Sequence, residues 1–316
     1  MSALRDAAAV VYGLGWELRR RLYARGALQP SRVPARVVSI GNLTVGGTGK
    51  TTLALHLGRW LRDRGADVAV VCRRYRPGPR GTGDEEQMFV DAFGPERVHA
   101  GTSKRELARR AAAAGHAVIL VDDGFSHWAL ERDVNLVTID AQDPWGGGSL
   151  LPAGRLREPR RALERADAVI LTRLEPDLDP EPLLAAIARA APAARLAAGR
   201  HRVTGARALD GTPARPATRV WIVTATGNPL AVERSARAAG FEVAGLSRHR
   251  DHHWFRAAEV AAERERARAA NATLLLTAKD AVRWPPSAAA GVQVLEVEWQ
   301  WVQGGETIER MVEGNP

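Results

Sequence analysis

The 316-residue chain has a single cysteine, Cys72. An intrachain disulfide is therefore excluded, and the composition fits a reducing compartment. No apolar run approaches the roughly 20 residues that a membrane-spanning helix needs. No basic segment leads into an apolar stretch with a cleavage site; Asp6 stands close to a short apolar run, so the N-terminus reads as retained. Internal repeats and low-complexity linkers are absent, as is any aromatic–basic pattern for nucleic acid. Lysine is almost missing: it occurs only at positions 50, 104 and 279, and arginine supplies the other 42 of the 45 basic residues. The net charge of +9 invites a nucleic acid or an anionic membrane as partner. Most arginines are scattered through helical stretches such as ELARRAAAA and AAERERARAA, where they read as solvated faces, and nucleic acid is not expected.

Against that scarcity, one lysine stands in residues 39–52, SIGNLTVGGTGKTT. The stretch follows the apolar Val37, Val38 and Ile40 and precedes Leu53, Leu55, Leu57, Trp60 and Leu61 at helical spacing. It reads as strand, glycine turn and helix. A polyphosphate needs this arrangement: Gly46, Gly47 and Gly49 let several backbone N–H groups face one point, and the helix start adds partial positive charge. Lys50 reaches the β/γ-phosphates and Thr51 can hold Mg²⁺. The pattern G-x-x-x-x-G-K-[ST] is met except that Thr44 stands at its first glycine. The competing reading is a plain glycine turn.

Residues 4–25 read as an amphipathic helix with Val10, Val11, Leu14, Leu18 and Leu22 on one stripe, Trp16 and Tyr23 beside it, and Arg19, Arg20, Arg21 and Arg25 in its second half. Such a helix lies in a membrane interface or packs on the domain. From 35 to about 200, near-continuous apolar strands alternate with helices, and the expected strands are 36–41, 67–72, 117–122, 134–140 and 167–172. This predicts an α/β fold with a P-loop NTPase-like parallel sheet covered by helices on both faces. Residues 1–30 form the N-terminal helix, 31–200 the nucleotide-binding domain, 201–218 a connection between lobes, and 219–316 a smaller C-terminal α/β lobe with a polar, poorly ordered tail after 303.

AVILVDDGFSH (117–127) ends a strand in two carboxylates, where α/β sheets bind ligands. Asp122 or Asp123 is placed to hold Mg²⁺, or the pair simply opens a turn. In GTGDEEQ (81–87), Asp84 follows the basic loop CRRYRPGPRG and serves either the site or a helix N-cap with Gln87 three residues on. DHHW (251–254) offers surface histidines, a metal ligand or a proton relay; metal-ligand spacing, whether with nearby thiolates or as H-x-x-x-H, is not expected. TAKD (277–280) carries another of the rare lysines.

In this order the pieces resemble the tetraacyldisaccharide 4′-kinases, the lipid A 4′-kinases of Gram-negative bacteria. The stretches that carry the resemblance are GNLTVGGTGKT (41–51), CRRYRPG (72–78), GDE (83–85), DDGFSH (122–127), LLPAGRLREP (150–159), TGNP (226–229), DHH (251–253) and LLTAKDAV (275–282). The resemblance implies ATP-dependent phosphorylation of the 4′-hydroxyl of a tetraacyldisaccharide 1-phosphate, giving lipid IVA and ADP. It implies ATP binding by Thr44, Val45, Gly46, Gly47, Thr48, Gly49, Lys50 and Thr51, with Thr51, Asp122, Asp123 and Glu158 at Mg²⁺. Asp84 becomes the acceptor of the hydroxyl proton with His252 as its partner, and Arg73, Tyr75 and Arg157 touch substrate. Asp84 and His252 are expected from different lobes, so that lobe closure assembles them. The N-terminal helix resembles the family's membrane-associating segment, which implies a peripheral enzyme on the cytoplasmic face of the inner membrane, without an obligate protein partner.

The chain departs from the family pattern at Arg74 and Arg76 (glycines), Ser126 (glutamine), Ala278 (glutamate), and Thr52 and Arg155 (prolines). Two other classes compete. A partitioning or metallochaperone-type ATPase would carry a lysine before the glycine pair, where this chain has Val45, and would turn over ATP without a sugar lipid. A non-catalytic basic module would bind its partner without nucleotide.

Overall fold

The computed structural model describes residues 2–75, 77–78, 81–175, 177–213 and 215–314, so Arg76 lies outside the described residues. In chain order the elements are α1 (Ser2–Ala24), β1 (Arg36–Asn42), α2 (Lys50–Asp63), β2 (Val68–Arg73), α3 (Asp84–Phe93), β3 (Val98–Gly101), α4 (Lys104–Ala113), β4 (Val118–Asp122), β5 (Val134–Asp140), β6 (Ala168–Thr172), α5 (Glu181–Ala190), β7 (Arg195–Ala208), β8 (Arg219–Thr224), α6 (Pro229–Ala238), β9 (Glu242–Arg248), α7 (Ala257–Ala269), β10 (Thr273–Thr277), α8 (Ala278–Arg283), β11 (Val292–Gln303) and α9 (Gly305–Glu313).

They divide into two compact units. The first holds Met1–Arg73, Phe93–His201 and Trp299–Pro316; the second holds Arg74–Ala92 and Arg202–Glu298. In the first, parallel strands run in the order β3-β2-β4-β1-β5-β6-β7. β4 and β6 are buried at every position, as strands covered on both faces must be, which is why they read as unbroken apolar runs. α2 lays Leu53, Ala54, Leu57, Gly58 and Leu61 on the sheet, one face of a 3.6-residue period. The second unit pairs β11-β10-β8-β9 in parallel, over a core of Val223, Phe255, Val260, Leu276 and Trp284.

Several boundaries differ from the sequence expectation. Arg74–Ala92, expected within the nucleotide domain, belongs to the second unit, and Trp299–Pro316 returns to the first. The expected connection at 201–218 begins as the long strand β7. The tail after 303 is the helix α9: Ile308 and Val312, one turn apart, are fully buried, and Glu309 accepts from Trp301 Nε1 at 2.8 Å. Behind Pro159 the segment Arg160–Arg165 forms a 3₁₀ turn.

Candidate active site

In the first unit, the chain leaves β1 at Asn42, crosses the glycine loop and enters α2 at Lys50. Gly46 and Gly49 take left-handed backbone, φ 109° and 79°, which a side chain would disfavour. A Cβ on Gly49 would also come within 3.1 Å of His201 Nε2, so no larger residue fits there without a shift. Burial and the Arg173 charge push the His201 imidazole down to about 4, which keeps it neutral beneath the loop. Neighbouring strand ends pin the loop from below. Thr172 donates to the Thr48 carbonyl at 2.8 Å, Thr48 and Thr138 hydroxyls meet at 2.7 Å, and Arg173 links the Gly47 carbonyl (2.9 Å) to Asp140 (2.8 Å).

β4 lies beside β1, with Ile40 opposite Asp122, so the carboxylates come up next to the loop. Asp122 is buried; Asp123 takes φ 50°, an unusual strain for a non-glycine residue. Arg157 grips Asp123 with two parallel bonds of 2.8 and 2.6 Å and also holds the Asn42 carbonyl at 3.1 Å. Lys50 Nζ stands 4.0 Å from Asp123 Oδ1, and Lys104 Nζ donates to the Asp123 carbonyl. Burial works to raise the Asp123 carboxyl, but the Arg157 bond and the Lys50 and Lys104 charges prevail and hold it well below the usual carboxylate range. Three cations, Lys50, Lys104 and Arg157, around the two carboxylates Asp122 and Asp123 leave a surplus of positive charge suited to a polyphosphate. Arg132, half-buried, donates to the carbonyls of Gly124, Phe125 and His127 at 3.1–3.2 Å and so fixes the turn that carries these residues.

Thr51 and Asp122 are hard oxygen donors that fit Mg²⁺. Asp123 is engaged by Arg157. Glu158, expected at the metal, is 2% exposed; its Oε2 accepts from Trp16 Nε1 at 2.9 Å and pairs with Arg165, while its buried Oε1 has no hydrogen-bond partner among the described residues. Tyr12 donates to the Arg157 carbonyl at 2.8 Å. The N-terminal helix is thereby wired to the segment that clamps Asp123, while its Val10, Val11, Leu14 and Leu18 face outward.

The second unit contains the other carboxylate. Asp84, the first residue of α3, is 3% exposed. Its Oδ2 receives His252 Nδ1 at 2.9 Å and Arg283 Nε at 2.8 Å, with Lys279 Nζ at 3.7 Å; its Oδ1 accepts the Glu85 N–H at 2.9 Å. Lys279 also pairs with Glu85 at 3.0 Å. Burial would raise the Asp84 carboxyl; the His252 bond and the Lys279 and Arg283 charges outweigh it and keep it well below its ordinary value. His252 is itself at φ 63°, held by its N–H to the Ala225 carbonyl at 3.2 Å. Arg283 reaches the same carbonyl at 2.9 Å, and the Ala225 N–H donates to Asp280, which Thr277 supports. Tyr75 meets His252 edge-on, with ring centroids 5.3 Å apart.

Two expectations are corrected here. Asp84 is not an N-cap paired with Gln87: the Gly83 N–H is taken by Glu86, and Gln87 turns to Thr82 and Asp91. Asp84 and His252 do not come from different lobes; both lie in the second unit, where they are already bonded. Arg73 ends β2 in the first unit, exposed. Arg74 pairs with the buried Glu86 at 2.7 Å. Residue-level reading missed Arg132, Arg283, and the contacts of Lys104 and Lys279. The scarcity of lysine was the available signal, since all three lysines stand at these carboxylates.

A glycine loop between β1 and α2, with acids at the end of the adjacent parallel strand, defines a P-loop nucleotide-binding fold. The chain belongs to the tetraacyldisaccharide-1-P 4′-kinase family (LpxK), whose sequence pattern matches residues 1–314. It is 38% identical to a tetraacyldisaccharide 4′-kinase of Anaeromyxobacter dehalogenans, covering 92% of this chain and 84% of the relative. It is 35% identical to the enzyme of that name from Syntrophobacter fumaroxidans, over 88% and 78%. The fold matches LpxK from Aquifex aeolicus, solved in complex with ATP, with a TM-score of 0.75 at 21% identity over 98% of this chain and 97% of that one. The chain is therefore a kinase, and the ATPase and non-catalytic readings are not favoured.

Proposed function

We propose that this kinase transfers the γ-phosphoryl group of ATP to the 4′-hydroxyl of a tetraacyldisaccharide 1-phosphate, giving lipid IVA and ADP, with Lys50 and Asp84 in the leading roles. Phosphoryl transfer is mostly positioning and charge neutralisation. The loop N–H groups of residues 44–51 and Lys50 take the phosphates. Thr51 and Asp122 would hold Mg²⁺, which would supply further neutralising charge to the phosphates. Arg157 keeps Asp123 in place beside Lys50.

The observation that carries the acceptor half is the Asp84–His252 pair. A sugar hydroxyl is a poor nucleophile unless a base takes its proton as the new bond forms. The Asp84 carboxyl is held well below its ordinary value. Its Oδ2 is taken by His252 and Arg283, so Oδ1, which also accepts the Glu85 N–H, is the oxygen assigned to the hydroxyl. So low a carboxyl is a weak base in the ground state. It suits a loose transition state, in which the proton leaves late, and His252 shares the charge. Arg73 and Tyr75 are assigned to substrate contact. Incubating the purified protein with γ-labelled ATP and detergent-solubilised disaccharide 1-phosphate tests the reading. Label in a 4′-phosphorylated product supports it; ATP turnover independent of the lipid contradicts it.

The membrane surface is the second part of the proposal. Among the described residues no helix is long and apolar enough to cross a membrane. The exposed stripe of Leu4, Val10, Val11, Leu14 and Leu18, beside basic Arg19, Arg20 and Arg21, suits an anionic interface. On this reading the enzyme works peripherally, on the cytoplasmic face of a Gram-negative inner membrane. Deleting the helix would also remove the Trp16–Glu158 bond. The cleaner test is Leu14→Ser with Leu18→Ser, which should reduce co-sedimentation with anionic liposomes.

A further inference from the structure

We propose that His249, His253 and Glu259 form a binding site for a transition-metal ion of the Zn²⁺ class, which staples the turn that carries His252. The expectation that this stretch lacks metal-ligand spacing is corrected once the frame starts at His249: His249 and His253 are four residues apart. The structure brings Glu259, from the first turn of α7, to both of them, and one ligand atom from each residue lies within 4.8 Å of the others.

The surroundings are those of a built site. His253 Nε2 and Glu259 Oε2 stand 2.9 Å apart and share a proton. A cation takes that proton's place at Nε2, and the neutral ring carries its proton on Nδ1 instead. The two imidazoles stack at 5.2 Å and 18°, and both set their edges against Phe255, at 5.0 and 5.3 Å. Glu263, 1% exposed, bonds His249 Nε2 at 3.0 Å and is itself held by Ser247 and Arg266 at 2.5 Å. A buried carboxylate behind a ligand histidine fixes the ring and raises its basicity. The Arg256 N–H donates to Glu259 at 2.8 Å and anchors the third ligand to the helix start. Two imidazoles and one carboxylate with an open position suit Zn²⁺ or Co²⁺ and are a poor set for Mg²⁺. Residues 250–252 lie between the histidine ligands, so an ion bridging them to α7 fixes the strained backbone of His252.

The test uses the full chain, stripped with chelator and titrated with Co²⁺, whose visible d–d bands report coordination. The expected result is a saturable spectrum at one ion per chain, displaced by Zn²⁺, together with a rise in thermal midpoint on adding Zn²⁺. His253→Ala and the gentler His253→Gln should abolish both signals. Glu263→Gln should weaken binding by about 10–100-fold. His252→Ala should leave the spectrum intact. A wild-type protein that shows no saturable spectrum, or one whose spectrum survives His253→Gln in a folded variant, overturns the proposal. Kinase activity is not the readout, so the outcome is independent of the assigned reaction.

Discussion

Asp123 in the first unit and Asp84 in the second are anchored alike and exposed differently. Each is gripped by an arginine, Arg157 or Arg283, and each has lysine nearby. Each site includes a non-glycine residue in left-handed backbone, Asp123 itself or His252. Yet the Asp123 side chain is 34% exposed, and that of Asp84 only 4%. A carboxylate that stands among cations at an open loop can exchange partners when a phosphate arrives. One sealed against a buried guanidinium keeps its partners and offers a single oxygen. The first arrangement suits the nucleotide half of the chemistry, the second the acceptor half.

The largest effect expected is that of Lys50→Ala. Removing the point charge from the transferring phosphate should abolish turnover, a loss of about 10³-fold or more, with the fold intact. Single-turnover kinetics and far-ultraviolet circular dichroism check it. Near-normal turnover would break the assignment of the first unit to nucleotide.

Next comes the difference in burial. Arg283→Met leaves a buried carboxylate with lost pairing and should cost about 3–5 kcal/mol. Arg157→Met should cost clearly less, because Asp123 retains solvent, Lys50 and Lys104. Urea unfolding of both variants reads this directly, and equal losses would erase the contrast. Both carboxyls sit below their ordinary value in the fold, so they stabilise it above the unfolded value of about 3.9 and lose that contribution as pH falls below it. The gap between wild type and Arg283→Met should therefore be constant near neutrality and close only in acid.

A smaller effect separates the two units in another way. Only Asp123 is tied through Arg157 and Glu158 to the N-terminal helix. Trp16→Phe removes the indole donor from the buried Glu158 and should cost about 1–3 kcal/mol. It should lower kcat modestly while leaving the liposome binding of the outward stripe unchanged. A thermal midpoint equal to wild type would show that the helix is seated by other contacts.

The two sites also differ in how far they could be read from sequence. The phosphate loop is contiguous, and its function rests on backbone conformation that three glycines and a helix start announce locally. Asp84 meets His252 across 168 residues and Arg283 across 199. Nothing local distinguishes Arg283 from the other arginines, and Asp84 read equally well as a cap. The parallel strands were legible because burial on both faces leaves unbroken apolar runs. β7 was not, since its RLAAGRHRVTGARA mixes glycine and arginine into a strand that passes from one unit to the other. α9 was hidden by its polar surface, although Ile308 and Val312 kept the helical period.

The central claim is that Asp84 and His252 act as one unit on the acceptor hydroxyl. Its most direct test is kcat at saturating ATP for Asp84→Asn, His252→Ala and the double variant. Asp84→Asn also uncovers Arg283, so a stability loss by itself does not separate catalysis from structure, and the comparison must be made on folded protein. The expected result is a fall of about 10²–10⁴-fold for Asp84→Asn with KM for ATP little changed, a smaller fall for His252→Ala, and a double variant barely worse than Asp84→Asn. Losses that multiply would mean that the two residues act separately and would contradict the account.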